Sequence, residues 1–222
     1  MDTPLHYTPA FDRLPADKKA RILSAAISEF AAKGFSAANI NTIALNAGIS
    51  IGAMYKYFKR KDDLFLTVID QAYGVLEQVL TDIDADSGGF FDKIERMIRA
   101  AQKYSRRYPE LNQIYLDMTS EGLAHLSRQL SGKLESVSSQ LYRRLLAEAA
   151  ASGDIAGDLD PAVAAFCLDN LVLTLQFSYT SDYFKERMKV FVGEDALEDD
   201  ERIAEGIMRF IRRALAPDAA AR

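Results

Sequence analysis

At 222 residues the chain holds one large domain or two small ones, with ample core. Its content of 49% hydrophobic and 27% charged residues is that of an ordinary globule, and scarce glycine and proline (12 and 6) favour an all-α fold. The net charge of −5 is uneven: residues 1–61 carry 9 Lys+Arg against 4 Asp+Glu, the remainder 18 against 28, so a basic end joined to an acidic body suits an anionic polymer on one face only.

Residues 1–14 contain Pro4 and Pro9 and no sustained period, which predicts a flexible arm. The first helix is expected from about Pro15 to Lys33, with Gly34 as C-cap and Ile22, Leu23, Ala26, Ile27, Phe30 and Ala31 as its buried stripe. Lys18, Lys19 and Arg21 near its start oppose the helix dipole, and serve either a nearby phosphate or a solvated face. A second helix over Asn39–Asn46 turns Ile40, Ile43 and Ala44 inward. A third over Ile51–Phe58 uses Met54, Tyr57 and Phe58 to lock onto the first. The fourth, 61–84, is about 35 Å long by its rise per residue and bridges a small head to a body.

Asp86-Ser87-Gly88-Gly89 is the clearest break in the first half. Helices follow at about Phe90–Arg107, Pro109–Thr119 and Gly122–Ala151. An eighth opens at Asp160-Pro161 and runs to about Tyr183, or on through Val192. The acidic stretch Glu194–Glu201 precedes the ninth, ending near Leu215, and residues 217–222 form a frayed tail. The lone Cys167 excludes an internal disulfide and is expected as a buried small hydrophobe. The longest apolar stretch, Ala162 to Tyr179, is interrupted by Asp169, Asn170 and Gln176 and makes a poor membrane span. With no signal pattern at the N-terminus, these features predict a cytoplasmic protein.

The densest signal lies between Ala47 and Lys61. A short helix, a turn at Gly48, and a second short helix capped by Ser50 follow the grammar of a helix-turn-helix, whose second helix enters the DNA major groove. Gly52 and Ala53 keep the exposed face flat, and Tyr55, Lys56, Tyr57 and Lys61 sit where phosphates would lie.

These residues resemble the head of the TetR family of bacterial regulators. The counterparts are Phe30, Gly34-Phe35, Asn41-Thr42, Ile43-Ala44, Ala47-Gly48-Ile49-Ser50, Gly52, Tyr55, Tyr57-Phe58, Lys61 and Leu64, a match over about Lys18–Phe65. The resemblance implies an N-terminal three-helix DNA-binding head (15–62) and a C-terminal helical ligand-binding and dimerisation domain (63–216), about nine helices in all. It implies that Thr42 bonds a phosphate, that Ser50 caps the recognition helix, and that Ile51, Gly52 and Ala53 face base edges. Tyr55, Tyr57 and Lys61 would meet phosphates, and base specificity is expected to lean on Lys56 and on DNA shape. Two residues depart from the pattern. Ile51 replaces a polar or basic residue and offers only an apolar contact, such as to a thymine methyl. Arg60 replaces a small capping residue, weakening the next helix start by about 1 kcal/mol.

The resemblance further implies a homodimer through the eighth and ninth helices, which places two recognition helices on a palindromic double-stranded operator. The expected apolar residues are Val163, Phe166, Leu171, Leu173, Leu175 and Phe177 on one helix and Ile203, Ile207, Met208, Phe210, Ile211 and Leu215 on the other. The middle helices are expected to hold a small hydrophobic or aromatic effector against Tyr104, Tyr108, Tyr115, Met118, Leu141, Tyr142, Phe166, Asn170, Leu173 and Phe177. No phosphate loop, paired-histidine spacing or serine elbow is present, and His6 and His125 are far apart, so neither catalysis, a metal nor a cofactor is expected. The expectation is a ligand-released repressor. The alternative is a helical small-molecule carrier or interaction module without DNA binding, from which salt-dependent binding to a specific site separates it.

Overall fold

A computed structural model of the chain describes residues 6–118 and 124–217, the stretch 124–134 by its backbone alone. Among the described residues there are eleven helices and no strand: α1 (Pro9–Asp12), α2 (Ala16–Ala37), α3 (Ile40–Asn46), α4 (Ile51–Tyr57), α5 (Lys61–Ala85), α6 (Phe90–Arg107), α7 (Pro109–Met118), α8 (Ala124–Ser152), α9 (Pro161–Ser178), α10 (Asp182–Val192) and α11 (Asp200–Leu215). They form two compact units. One comprises Met1–Leu76 with Gln113–Ser127, the other Glu77–Asn112 with Arg128–Arg222. The first unit runs past the expected boundary at residue 62 because Leu64, Phe65, Val68 and Ile69 of α5 are buried, with Phe65 set edge-on to Phe30 and Phe35.

The segment from Thr8 to Asp12 is no loose arm. Pro9 takes the first helical position, where its missing N–H costs nothing, and Phe11 is buried. Thr8 donates from its backbone N to the Tyr57 carbonyl (3.0 Å) and from Oγ1 to the Lys56 carbonyl (2.8 Å). The Phe11 ring lies 4.7 Å from that of Phe58. Residues 1–5, and the tail beyond Pro217, lie outside the described residues.

The first helix breaks at Gly34, as expected, and one further turn carries α2 to Ala37. Gly34 adopts φ 68°, bends the chain, and lets helical hydrogen bonding resume to Ala37. Ile22, Ala26 and Phe30 are fully buried, as their spacing requires. α3 is capped by Asn39, whose side chain accepts from Asn41 N at 2.8 Å. α5 starts without a capping side chain at Arg60. Asp63 supplies half of a capping box by accepting from Arg60 N at 3.1 Å.

In the second unit, Asp160 caps α9 by accepting from Ala162 N and Val163 N, with Pro161 at the first position. The expected single eighth helix is two. α9 closes at Ser178, and a new start at Ser181 opens α10; the described residues hold eleven helices where about nine were expected. α9 and α11 both pack on α6. Arg99 joins α11 through two bonds to Glu201 (2.6 and 2.7 Å), and Arg106 reaches Asp200 (2.8 Å). Gln102 Nε2 donates to the Tyr179 hydroxyl (3.0 Å), which donates to Asp200 (2.7 Å). Burial, and then that carboxylate, push the Tyr179 phenol up to about 12.

α9 has apolar residues on all sides, with mean hydropathy 1.3 over eighteen residues, yet only 28% of it is buried. By length and composition it could cross a membrane, against the sequence expectation. Val163 and Phe166 lie on its outer face at 58% and 69% exposure, and Cys167 beside them is exposed rather than buried. An all-round apolar helix carries no period to say which side faces in.

Candidate nucleic-acid interface

Gly48, at φ 69°, makes the turn between α3 and α4. Ser50, in extended conformation, accepts from Ala53 N at 3.1 Å and starts α4. The seven residues of α4 then divide by face. Met54 and Tyr57 point into the core, with Phe58 just beyond, while Ile51, Gly52, Tyr55 and Lys56 are exposed and Ala53 is half-buried. Backbone bonds from Gly48 N to Leu45 O and from Ile49 N to Ala44 O fix the turn. The outcome is a short rod held from one side only, its outer face small at the centre and flanked by a phenol and an ammonium. Such a rod fits the width of a DNA major groove.

The structure brings Ser50, Ile51, Gly52, Ala53, Tyr55 and Lys56 together on this rod, with Thr42 half-buried in the first turn of α3. Two residues expected to meet phosphates have other partners within the head. Tyr57 is only 7% exposed and packs by Phe11, so its ring belongs to the core. Lys61 places its ammonium against the end of α2, donating to the carbonyls of Ser36 (3.0 Å) and Ala38 (3.2 Å) and lying over the Phe35 ring. The last carbonyls of α2 have no helical partner, and this cation satisfies them. Of the basic residues on α2, Lys19 pairs with Asp12 (3.3 Å) and Arg21 with Asp17 (3.8 Å). Lys59 and Arg60 are exposed beside the rod, and Leu45 is exposed on α3. Leu45 stands three residues after Thr42, so helical spacing placed it on the same face, but its apolar character hid it from a search for polar contacts.

The residues expected to line an effector site are scattered more widely. In the second unit Leu141, Tyr142 and Phe177 are buried, and Tyr104 and Leu173 half-buried. Burial, reinforced by Asp169, raises the Tyr142 phenol far above its ordinary range. Asp169 is itself raised, first by burial and then by Glu135. Three of the expected residues are corrected: Tyr108, Phe166 and Asn170 are exposed, and Asn170 bonds back to the Phe166 carbonyl (2.7 Å). Tyr115 and Met118 belong to the first unit. The His125 side chain lies outside the described residues. Among the described residues, no cluster of three or more His, Cys, Asp or Glu could hold a metal ion.

Comparison with known proteins points the same way. The family described as bacterial regulatory proteins, tetR family, matches residues 22–68, the segment from α2 to the early turns of α5. An uncharacterized HTH-type transcriptional regulator, YerO of Bacillus subtilis (strain 168), is 40% identical over 73 residues, which is 33% of this chain and 25% of that protein. The HTH-type transcriptional regulator RutR of Escherichia coli O157:H7 is 31% identical over 127 residues, 56% of this chain and 58% of RutR. The chain thus spans less than two thirds of the length of these curated relatives. In fold, a TetR family transcriptional regulator from Chloroflexus aurantiacus superposes with a TM-score of 0.69 at 22% identity, covering 94% of this chain and 98% of that one.

Proposed function

Because the chain belongs to the TetR family of bacterial regulatory proteins, we propose that it is a DNA-binding transcriptional regulator. It recognises a palindromic operator as a homodimer and is released from it by a small hydrophobic or aromatic effector. The observation that carries this reading is the division of α4: Met54 and Tyr57 anchor it, while Ile51, Gly52, Tyr55 and Lys56 stand free for a groove. The basic balance of residues 1–61 supplies the charge that duplex phosphates require.

Dimerisation follows from the need for two recognition helices to reach adequate specificity. The exposed apolar side chains Val163 and Phe166 on α9 and Phe210 on α11 support these helices as the seam. Leu141, Tyr142, Leu173 and Phe177, with Tyr104, are the proposed effector contacts. α5 enters both compact units as one continuous helix and is the proposed link between effector and head. An effector that lowers operator affinity binds the DNA-incompetent state more tightly.

The test is a gel shift of the full chain with genomic fragments at graded salt, followed by footprinting. A regulator protects a specific two-fold site and weakens with salt at roughly −0.9 in log–log slope per phosphate contact. Binding that shows neither a preferred site nor salt dependence rejects the reading.

A further inference from the structure

The exposed face of α4 carries only two side chains with hydrogen-bonding groups, Tyr55 and Lys56. α4 reads Ile-Gly-Ala-Met-Tyr-Lys-Tyr and contains no Arg, Asn, Gln, Asp or Glu. Lys56 is its one side chain suited to guanine, and the pairing of adenine with asparagine or glutamine has no side chain on this helix. What α4 presents at its N-terminal end is Ile51, 47% exposed, with Tyr55 (52%) one turn along the same face. Leu45 is 77% exposed at the end of α3, one turn beyond Thr42. Among the described residues of the first unit, these three are the exposed large hydrophobic side chains, and all lie in the helix-turn-helix. Single exposed apolar residues are ordinary surface, but their confinement to the two helices of one motif is not scatter.

We infer that the head reads its operator through the C5-methyl groups of thymine, with Ile51 against one methyl in each half-site and Leu45 against a second. The thymine methyl is the apolar group that natural base pairs expose in the major groove, and a branched aliphatic side chain is its complement. The inference rests on the DNA-binding reading above and specifies what that surface selects.

The experiment begins by selecting binding sites for the full chain from random duplexes. Each thymine of the selected site is then replaced by deoxyuridine, which keeps every hydrogen-bonding group and removes only the methyl. One or two thymines per half-site lose about fourfold in affinity each, and about fifteenfold when both symmetry-related copies are replaced. Ile51→Ala weakens the thymine site by a similar factor and abolishes the deoxyuridine penalty at its own position. Leu45→Ala abolishes it at a different one. Both side chains are exposed, so the variants keep the fold, which a thermal melt verifies. Replacing a sensitive thymine–adenine pair by 5-methylcytosine–guanine retains more affinity than unmethylated cytosine–guanine. Equal affinity for every deoxyuridine site, or penalties undiminished in both variants, overturns methyl reading while leaving DNA binding intact. Failure to select any site overturns both.

Discussion

Lys61 Nζ donates a 3.0 Å hydrogen bond to the carbonyl of Ser36, twenty-five residues earlier in the chain. The same ammonium reaches Ala38 and lies 4.7 Å from the centre of the Phe35 ring. A lysine at the start of α5 thereby closes the end of α2, clamping the two helices that support α3 and α4. Lys61→Ala leaves the Ser36 and Ala38 carbonyls to water and removes the contact with Phe35. The expected loss is about 1–2 kcal/mol, limited because the group is partly solvated. Urea unfolding followed by circular dichroism measures it. Operator affinity at a temperature where the variant is folded should fall much less than affinity near its melting point. An unchanged unfolding midpoint combined with a uniform loss of DNA binding would restore the phosphate contact as the role of Lys61.

Phe11 offers a second test, since α1 is only four residues long and owes its place to this ring. It touches Tyr7, Tyr57 and Phe58 and is 2% exposed. Truncating it to alanine opens a cavity directly beneath α4, at a cost of about 3 kcal/mol. Amide hydrogen exchange in α4 should accelerate before exchange in α6 does. A Phe11→Ala protein with wild-type stability would mean that the segment before Leu14 is the loose arm its prolines suggest.

Asp84 should contribute to acid sensitivity, beside Asp200 and Glu201, whose carboxyls are also lowered by arginine partners. Hydrogen bonds from Arg144 (2.7 Å) and then Lys93 (3.0 Å) hold the Asp84 carboxyl below the ordinary value of 3.8. Because the folded pKa is depressed, this contribution is fully present above that value and is lost as pH falls through the folded pKa. The pair is about one-third exposed, so the contribution is roughly 1 kcal/mol or less. Asp84→Asn should lower stability at pH 7 by that amount and flatten the dependence of the unfolding midpoint on pH below about 4. A variant whose acid limb overlays that of the parent protein would remove Asp84 from the account.

The parts that were legible from sequence are those where one period or one cap decides the outcome. Ile22, Ala26 and Phe30 follow helical spacing and are buried, and Ser50 and Asp160 cap the helices they precede. Elsewhere two signals competed. Pro9 reads as a breaker when counted with Pro4, and as a first helical residue only once Thr8 and Phe11 have partners 40 or more positions away. On α9 the apolar residues surround the helix, so neither the exposure of Cys167 and Phe166 nor the break before Asp182 shows in the pattern. Lys61 illustrates a further limit: a charge is visible in sequence, but which oxygen it faces depends on the bend that Gly34 introduces upstream.

The outer face of α9 carries the last prediction. Phe166 is 69% exposed, Val163 58%, and Phe210 on α11 62%, apolar side chains that the proposed dimer would cover. In a two-fold dimer every substitution acts twice. Burying a phenylalanine is worth about 2 kcal/mol, so Phe166→Glu should weaken self-association by at least about 4 kcal/mol, or roughly a thousandfold in dissociation constant. Analytical ultracentrifugation over a range of concentrations reads this directly, and far-UV circular dichroism should be unchanged because the side chain makes little contact within its own protomer. Operator binding should turn from steep to shallow in protein concentration as single heads replace pairs. Phe191 on α10, 74% exposed and held under Arg187, provides the comparison: Phe191→Ser should leave the dimer intact. Dissociation by the change at Phe191 and not by that at Phe166 would move the seam from α9 to α10.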